Sequence, residues 1–169
     1  AWTQCQDEDA HYVFPCFDHP QVKCPFSVQI RAPGGFTVVS NGALEGVQDD
    51  ADGWKRWSFE QAEPMPAYLF SAVVARLDVV EEEWRGKPVR YLVPEGTDEA
   101  TTRRVFEKTP RMLEFFSNLH GVEYPWPRYD QVIVHDFIFG GMENVAATTL
   151  VDISITDERS SLDWNAESL

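Results

Sequence analysis

The stretch Phe139-Gly140-Gly141-Met142-Glu143-Asn144 holds the residue types best suited to chemistry in this chain. Two adjacent glycines let backbone come close to a ligand, because no Cβ stands in the way. A carboxylate beside them, Glu143, can receive a cation through a charge-assisted hydrogen bond. Gly140 and Gly141 can offer backbone N–H and C=O groups to an extended chain, in the manner of strand addition. Together these groups suit the main chain and free amino end of a peptide. Met142 reads as a packing residue, and Asn144 as one that orients the loop through its side-chain amide. A Gly-Gly pair alone more often marks a turn, and a loop Glu more often faces water, so the weight rests on the whole string.

Other reactive residue types form weaker patterns. Cys5, Cys16 and Cys24 all fall in the first 24 residues, an odd set without Cys-x-x-Cys spacing, which argues against a disulfide framework. His11 and His19 lie between them, but the spacings fit no zinc pattern. Buried free thiols are the expected state. His19, His120 and His135 read as hydrogen-bonded structural residues, and His11 is assigned no catalytic role. Trp54 with Trp57, and Trp126 with Tyr129, read as packing, since no basic groove accompanies them.

The elements that must position the glycine–glutamate string are mainly strands. Gln131-Val132-Ile133-Val134 leads into it, and 148–151 follows it. Upstream, 26–31 alternates apolar and polar residues, the period of a half-buried strand. Pro33-Gly34-Gly35 is a turn, 36–40 a second strand, and Asn41-Gly42 a strong turn dipeptide. The chain continues through 43–47, crosses a polar loop at 49–53 and returns as an amphipathic strand at 54–59. Pro64 and Pro66 are expected to interrupt pairing. The apolar run 68–74 predicts a long strand inside a sandwich. Strands at 77–81 and 89–93 flank Arg85-Gly86-Lys87-Pro88, where a domain boundary is placed.

The period then becomes helical over 98–120. Pro110 either kinks this helix or opens a second one, with Thr109 at the N-cap and Pro110 first inside. Gly121 is a natural stop, and a further helix is expected from Ser160 onward.

Composition bounds the class. A length of 169 residues allows one domain or parts of two, and 43% hydrophobic with 13% aromatic residues indicates a globular chain. No apolar run approaches the roughly 20 residues that span a bilayer. The net charge of −14 argues against nucleic acid and anionic membrane surfaces. It favours cationic ligands, although clusters such as Asp49-Asp50 and Glu81-Glu82-Glu83 also read simply as solvated loops and edges.

Five motifs in order make a resemblance. They are Thr3-Gln4-Cys5-Gln6, then Phe14-Pro15-Cys16-Phe17-Asp18-His19-Pro20, Ser40-Asn41-Gly42, the run from Tyr124-Pro125-Trp126-Pro127-Arg128 to Val132, and Gly140-Gly141-Met142-Glu143-Asn144 with Ala147-Thr148-Thr149. The chain resembles the zinc aminopeptidase family of aminopeptidase N and leukotriene hydrolase, whose exopeptidase signature is Gly-x-Met-Glu-Asn. The resemblance implies a fold that is mainly β with α. A β-rich saddle- or sandwich-like N-terminal domain would cover 1–85. The first part of a thermolysin-like α+β catalytic domain would cover 86–169. It also implies substrate-binding roles for Glu143 (on the α-ammonium), Gly140, Gly141, Met142, Asn144, Gln4 and Gln6. A Gln at position 6 gives Glu143 less help from formal charge. His11 stands where the family tends to have Arg.

One family feature is absent. The zinc motif His-Glu-x-x-His does not occur, since no two of the four histidines are separated by three residues. Its ligands are expected beyond Leu169, and further strands upstream of Ala1. The expectation is therefore zinc in the complete parent enzyme, with no metal, no catalytic residue and no activity in these residues alone. The expected partners are peptides with a free N-terminal amine. The expected setting is cytoplasmic, in keeping with reduced thiols. Preferred substrate residue and oligomeric state are left open. A different class also fits the β-rich pattern: a non-catalytic interaction module of the same fold.

Overall fold

The computed structural model describes residues 1–160, and the helix expected from Ser160 onward lies outside the described residues after its first position. The architecture is mainly β, with two α-helices among the described residues, as the sequence predicts. Two compact units form: Ala1–Arg76 with Glu143–Ala147, and Leu77–Met142 with the residues from Thr148 onward.

In the first unit, β1 (Lys23–Pro33), β3 (Ala43–Asp49) and β4 (Trp54–Pro66) make an antiparallel sheet in the order β1-β4-β3, while β2 (Thr37–Ser40) pairs with β5 (Ala72–Ala75). Alternation sends Val28, Ile30 and Ala32 inward, where they pack with Val38, Trp57, Phe59 and Val74. Gly42 has φ of +73°, and a Cβ there would fall 2.0 Å from the Glu60 carbonyl oxygen, so only glycine fits this turn. Trp2 bridges to Val73, and the Thr3 N–H donates to the Ala72 carbonyl at 3.1 Å, which ties the start of the chain to β5.

Two strand expectations meet the structure differently. Pro64 interrupts the β1–β4 pairing, as expected, whereas Pro66, the last residue of β4, stays paired with Lys23. The β1–β4 register skips between Cys24 and Phe26, and this bulge leaves Pro64 out of the ladder. The run 68–74 is not one long strand. A 3-10 turn at Ala67–Leu69 takes up its first part, and only Ala72–Ala75 is extended.

In the second unit, β6 (Leu77–Trp84) and β7 (Lys87–Pro94) form a hairpin closed at Arg85-Gly86, the turn at which the sequence places a boundary. Next come α1 (Glu99–Phe106), α2 (Thr109–His120), β8 (Tyr129–Val134), β9 (Gly141–Met142) and β10 (Ala147–Val151). The sheet order is β6-β7-β8-β10-β9, with β8 parallel to β7 after a helical crossover. Its core is Val80, Trp84, Val89, Tyr91, Val93, Phe106 and Ile133, with Tyr91 stacked on Phe106 at 4.6 Å. Arg90 and Asp130 are paired in the β7–β8 register, and Arg90 Nε donates to Asp130 Oδ1 at 2.8 Å. Arg128 also binds the fully buried Asp130, so two guanidinium groups hold one carboxylate.

The 98–120 pattern resolves into two helices, so Pro110 opens the second. Asp98 caps α1 by accepting from the Ala100 and Thr101 N–H groups. Lys108, not Thr109, is the N-cap of α2. The Thr109 hydroxyl is turned away to Gln131 Oε1 at 2.7 Å, and Thr109 is already helical. Gly121 closes α2 in the left-handed conformation, as expected.

Candidate functional site

The glycine–glutamate string alternates. Gly141 and Glu143 are exposed, whereas Met142 and Asn144 are buried. This period of two is that of extended backbone. In the second unit, Gly141 and Met142 constitute β9, an edge strand whose partners in β10 are Leu150 and Thr149. The Val151 N–H also donates to the Gly140 carbonyl at 3.2 Å. A Cβ on Gly141 would lie 2.8 Å from Leu150 Cδ2, so the glycine permits close approach of its sheet neighbour. No strand among the described residues covers the other edge of β9. An edge of this kind offers unpaired backbone groups to an added chain.

In the first unit, Glu143–Ala147 is held by two buried amides. Asn144 Nδ2 donates to the carbonyls of Leu69 at 3.2 Å and Phe70 at 3.4 Å. Asn41 Nδ2 donates to Val145 O at 2.9 Å and Leu69 O at 3.0 Å, and Asn41 Oδ1 accepts from the Ser71 N–H at 2.8 Å. The Ser40 hydroxyl adds a bond to Ser71 O at 2.7 Å. Burial makes such bonds costly to lose, because the carbonyls left behind have no water. The Glu143 carboxylate is exposed and has no hydrogen bond or ion pair among the described residues. Its backbone neighbour Asn144 is held, while the carboxylate itself faces solvent.

Gln4 and Gln6 extend from the segment bound to β5. Gln4 Oε1 accepts from the Gln6 N–H at 3.1 Å, and Gln4 Nε2 is buried with no partner among the described residues. Gln4, Gln6, Glu143 and Asn144 fall in the first unit, and Gly140, Gly141 and Met142 in the second. Asn41 is the residue that sequence reading undervalued. It reads as half of a turn, and its hold on Val145, 104 positions away, leaves no local signal.

Among the described residues no group of three or more His, Cys, Asp or Glu is placed to hold a metal ion, so these residues do not fit a zinc centre. The histidines have other partners: His11 with Asp18 at 3.0 Å, His135 with Asp152 at 2.6 Å, and His120 stacked near Phe116. The expectation of three buried thiols is corrected. Cys5 is buried, Cys16 half-buried and Cys24 exposed, because β1 begins at the sheet edge. Burial, helped by the Asp18 charge, pushes the Cys5 thiol up to about 11. An apolar groove of about 440 Å³ lies between α2 and β8, lined by residues including Leu113, Phe116, Tyr124 and Tyr129, and includes none of the string's residues.

Comparison with known proteins adds the family. Residues 1–69 match the peptidase M1 N-terminal domain, and residues 104–167 match the peptidase family M1 domain. The chain is 34% identical over 165 residues to aminopeptidase 2, mitochondrial, of Saccharomyces cerevisiae, covering 96% of this chain and 17% of that protein. It is 32% identical over 174 residues to aminopeptidase N of Bos taurus, covering 99% and 18%. Glutamyl aminopeptidase of Mus musculus is 32% identical over 150 residues, covering 88% and 16%. The chain therefore spans less than one fifth of the length of these relatives.

Proposed function

Because this chain belongs to the M1 peptidase family, we propose that it is part of a zinc-dependent aminopeptidase that removes N-terminal residues from peptides. The observation that carries this reading is Glu143, an exposed carboxylate without a partner among the described residues, next to Asn144, whose amide is anchored to the Leu69 and Phe70 carbonyls. An aminopeptidase must distinguish a chain end from an internal peptide bond. The α-ammonium is the group that differs, and a fixed carboxylate binds it by a charge-assisted hydrogen bond.

Each residue then has its own task. Glu143 accepts from the ammonium. Gly140 and Gly141 pair with the substrate main chain as with an added strand. Met142 and Asn144 keep the string extended by being buried on either side of Glu143. Gln4 and Gln6 serve the amine end through their side-chain carbonyl oxygens, which accept from the ammonium, while the Gln4 Nε2 group is left to donate elsewhere. Zinc, when bound in the complete protein, supplies Lewis-acid activation of water. The part played by the described residues is to hold the amino end.

The test is Glu143→Gln in the full-length protein, assayed on an aminoacyl reporter with a free amine. A hydrogen bond to a charged group contributes about 1.5–3 kcal/mol, so kcat/KM should fall roughly 10- to 150-fold. Unchanged kinetics would remove Glu143 from the site.

A further inference from the structure

The loop after Gln6 carries two thiols that the proposed activity does not use. Segment 14–18 runs toward a reversal at which the Val22 N–H donates to the His19 carbonyl at 2.9 Å, and the chain returns as β1. At the other end of these two arms, the Phe14 and Phe26 rings meet edge to face with centroids 5.7 Å apart. Cys16 stands two residues after Phe14, and Cys24 two residues before Phe26. Both cysteines therefore lie between two points at which the arms are held together, at matching distances from the ring contact. A disulfide needs Cα atoms about 4.4–6.8 Å apart, a span within reach of two arms held together on either side of it.

Their surroundings agree. Cys24 is exposed and Cys16 half-buried, so an external reagent has access, while Cys5 is 0% exposed. Burial, then the Asp18 carboxylate, hold the Cys16 thiol above its ordinary value, with a smaller contribution from Cys24. The loop between Gln6 and β1 also displays Tyr12, Val13 and Phe17 to solvent, with Phe17 83% exposed.

We propose that Cys16 and Cys24 are a reversible thiol pair that closes to a disulfide when a low-molecular-weight disulfide such as oxidised glutathione is present. The Cys24 thiolate attacks one sulfur of that reagent, the reagent's S–S bond breaks, and one glutathione thiolate leaves. The Cys16 thiolate then attacks Cys24 Sγ, the mixed disulfide breaks, and a second glutathione thiolate leaves. The two protons lost by the cysteines are taken up by the two glutathione thiolates. The protein pair is oxidised and one oxidised glutathione is reduced. The bond ties the loop to β1 at its base.

The test is peptide mapping of the full-length protein after incubation with oxidised glutathione and alkylation of the remaining thiols. Cleavage after Glu8, Lys23 and Arg31 puts the three cysteines in separate peptides, one ending at Glu8, then 9–23 and 24–31. The expected product is 9–23 linked to 24–31, released by dithiothreitol and retained in C5S. C16S should instead keep glutathione on Cys24. Glutathione stably held on Cys24 in the unaltered protein, with no link, would overturn the proposal. A link from Cys24 to Cys5 would do the same.

Discussion

Asn41 and Asn144 do for the first unit what no apolar residue could. Each supplies N–H donors to buried carbonyls of residues far along the chain, and both are almost fully buried. Asn41→Ala should leave the Val145 carbonyl and the Ser71 N–H without their partner, at a cost of about 1–3 kcal/mol. Urea unfolding of the full-length protein checks this, and a loss under a few tenths of a kcal/mol would mean water takes the amide's place. The thiols make a second residue-scale prediction. Because a thiolate is the reactive form, iodoacetamide at pH 8 should label Cys24 first and Cys5 last, Cys5 being both buried and raised to about 11. Time-resolved mass mapping gives the order. Early labelling of Cys5 would mean that the start of the chain opens readily.

Strands β1 and β4 place Arg31 directly opposite Arg56, a like-charge pair that would oppose their pairing. Asp50 answers it, accepting from Arg31 Nε at 2.7 Å, from Arg56 Nη2 at 3.2 Å and from the Ala51 N–H at 2.8 Å. The Arg31 bond, then the Ala51 and Arg56 bonds, lower the Asp50 carboxyl from 3.8 to about 2. A lowered folded-state value stabilises above the unfolded value and is lost as pH falls through the folded one. The difference in stability between the unaltered protein and Asp50→Asn should therefore be full above pH 4 and shrink between about pH 4 and 2. Its size is reduced by solvent screening, since the Asp50 side chain is only half-buried. Paired acid titrations of folding check it, and a difference that does not change with pH would remove Asp50 as the compensating charge.

For the molecule as a whole, α2 carries a stripe that its own unit does not cover. Met112, Phe115, Phe116 and Leu119 are all exposed, with Phe115 at 59%. They recur at helical spacing, which makes a continuous apolar face. The 169-residue chain by itself should therefore self-associate, despite its charge of −14. Replacing both Phe115 and Phe116 by Glu should lower the mass seen by light scattering. A monomer both before and after the replacement would mean that this face is tolerated in water.

Much of this was legible in the residues themselves. Period-two alternation located β1, the run Gln131-Val132-Ile133-Val134 located β8, Asn41-Gly42 marked a turn that only glycine can make, and Gly121 marked the end of α2. The family was legible too, because its motifs are short local strings whose order survives in the sequence. Other features required the folded chain. The continuation of β4 past Pro64 depends on a bulge against β1. Thr109 does not cap α2, because its hydroxyl bonds Gln131 on β8. The proposed pairing of Cys16 with Cys24 rests on a ring contact and a turn. The fixed exposure of Glu143 depends on amides that reach Leu69 and Phe70. Sequence alone determines what neighbouring residues can do to one another, through backbone sterics and alternation. Tertiary structure decides which distant donor meets which buried acceptor, because that pairing is selected by the cost of leaving polar groups dry and unpaired.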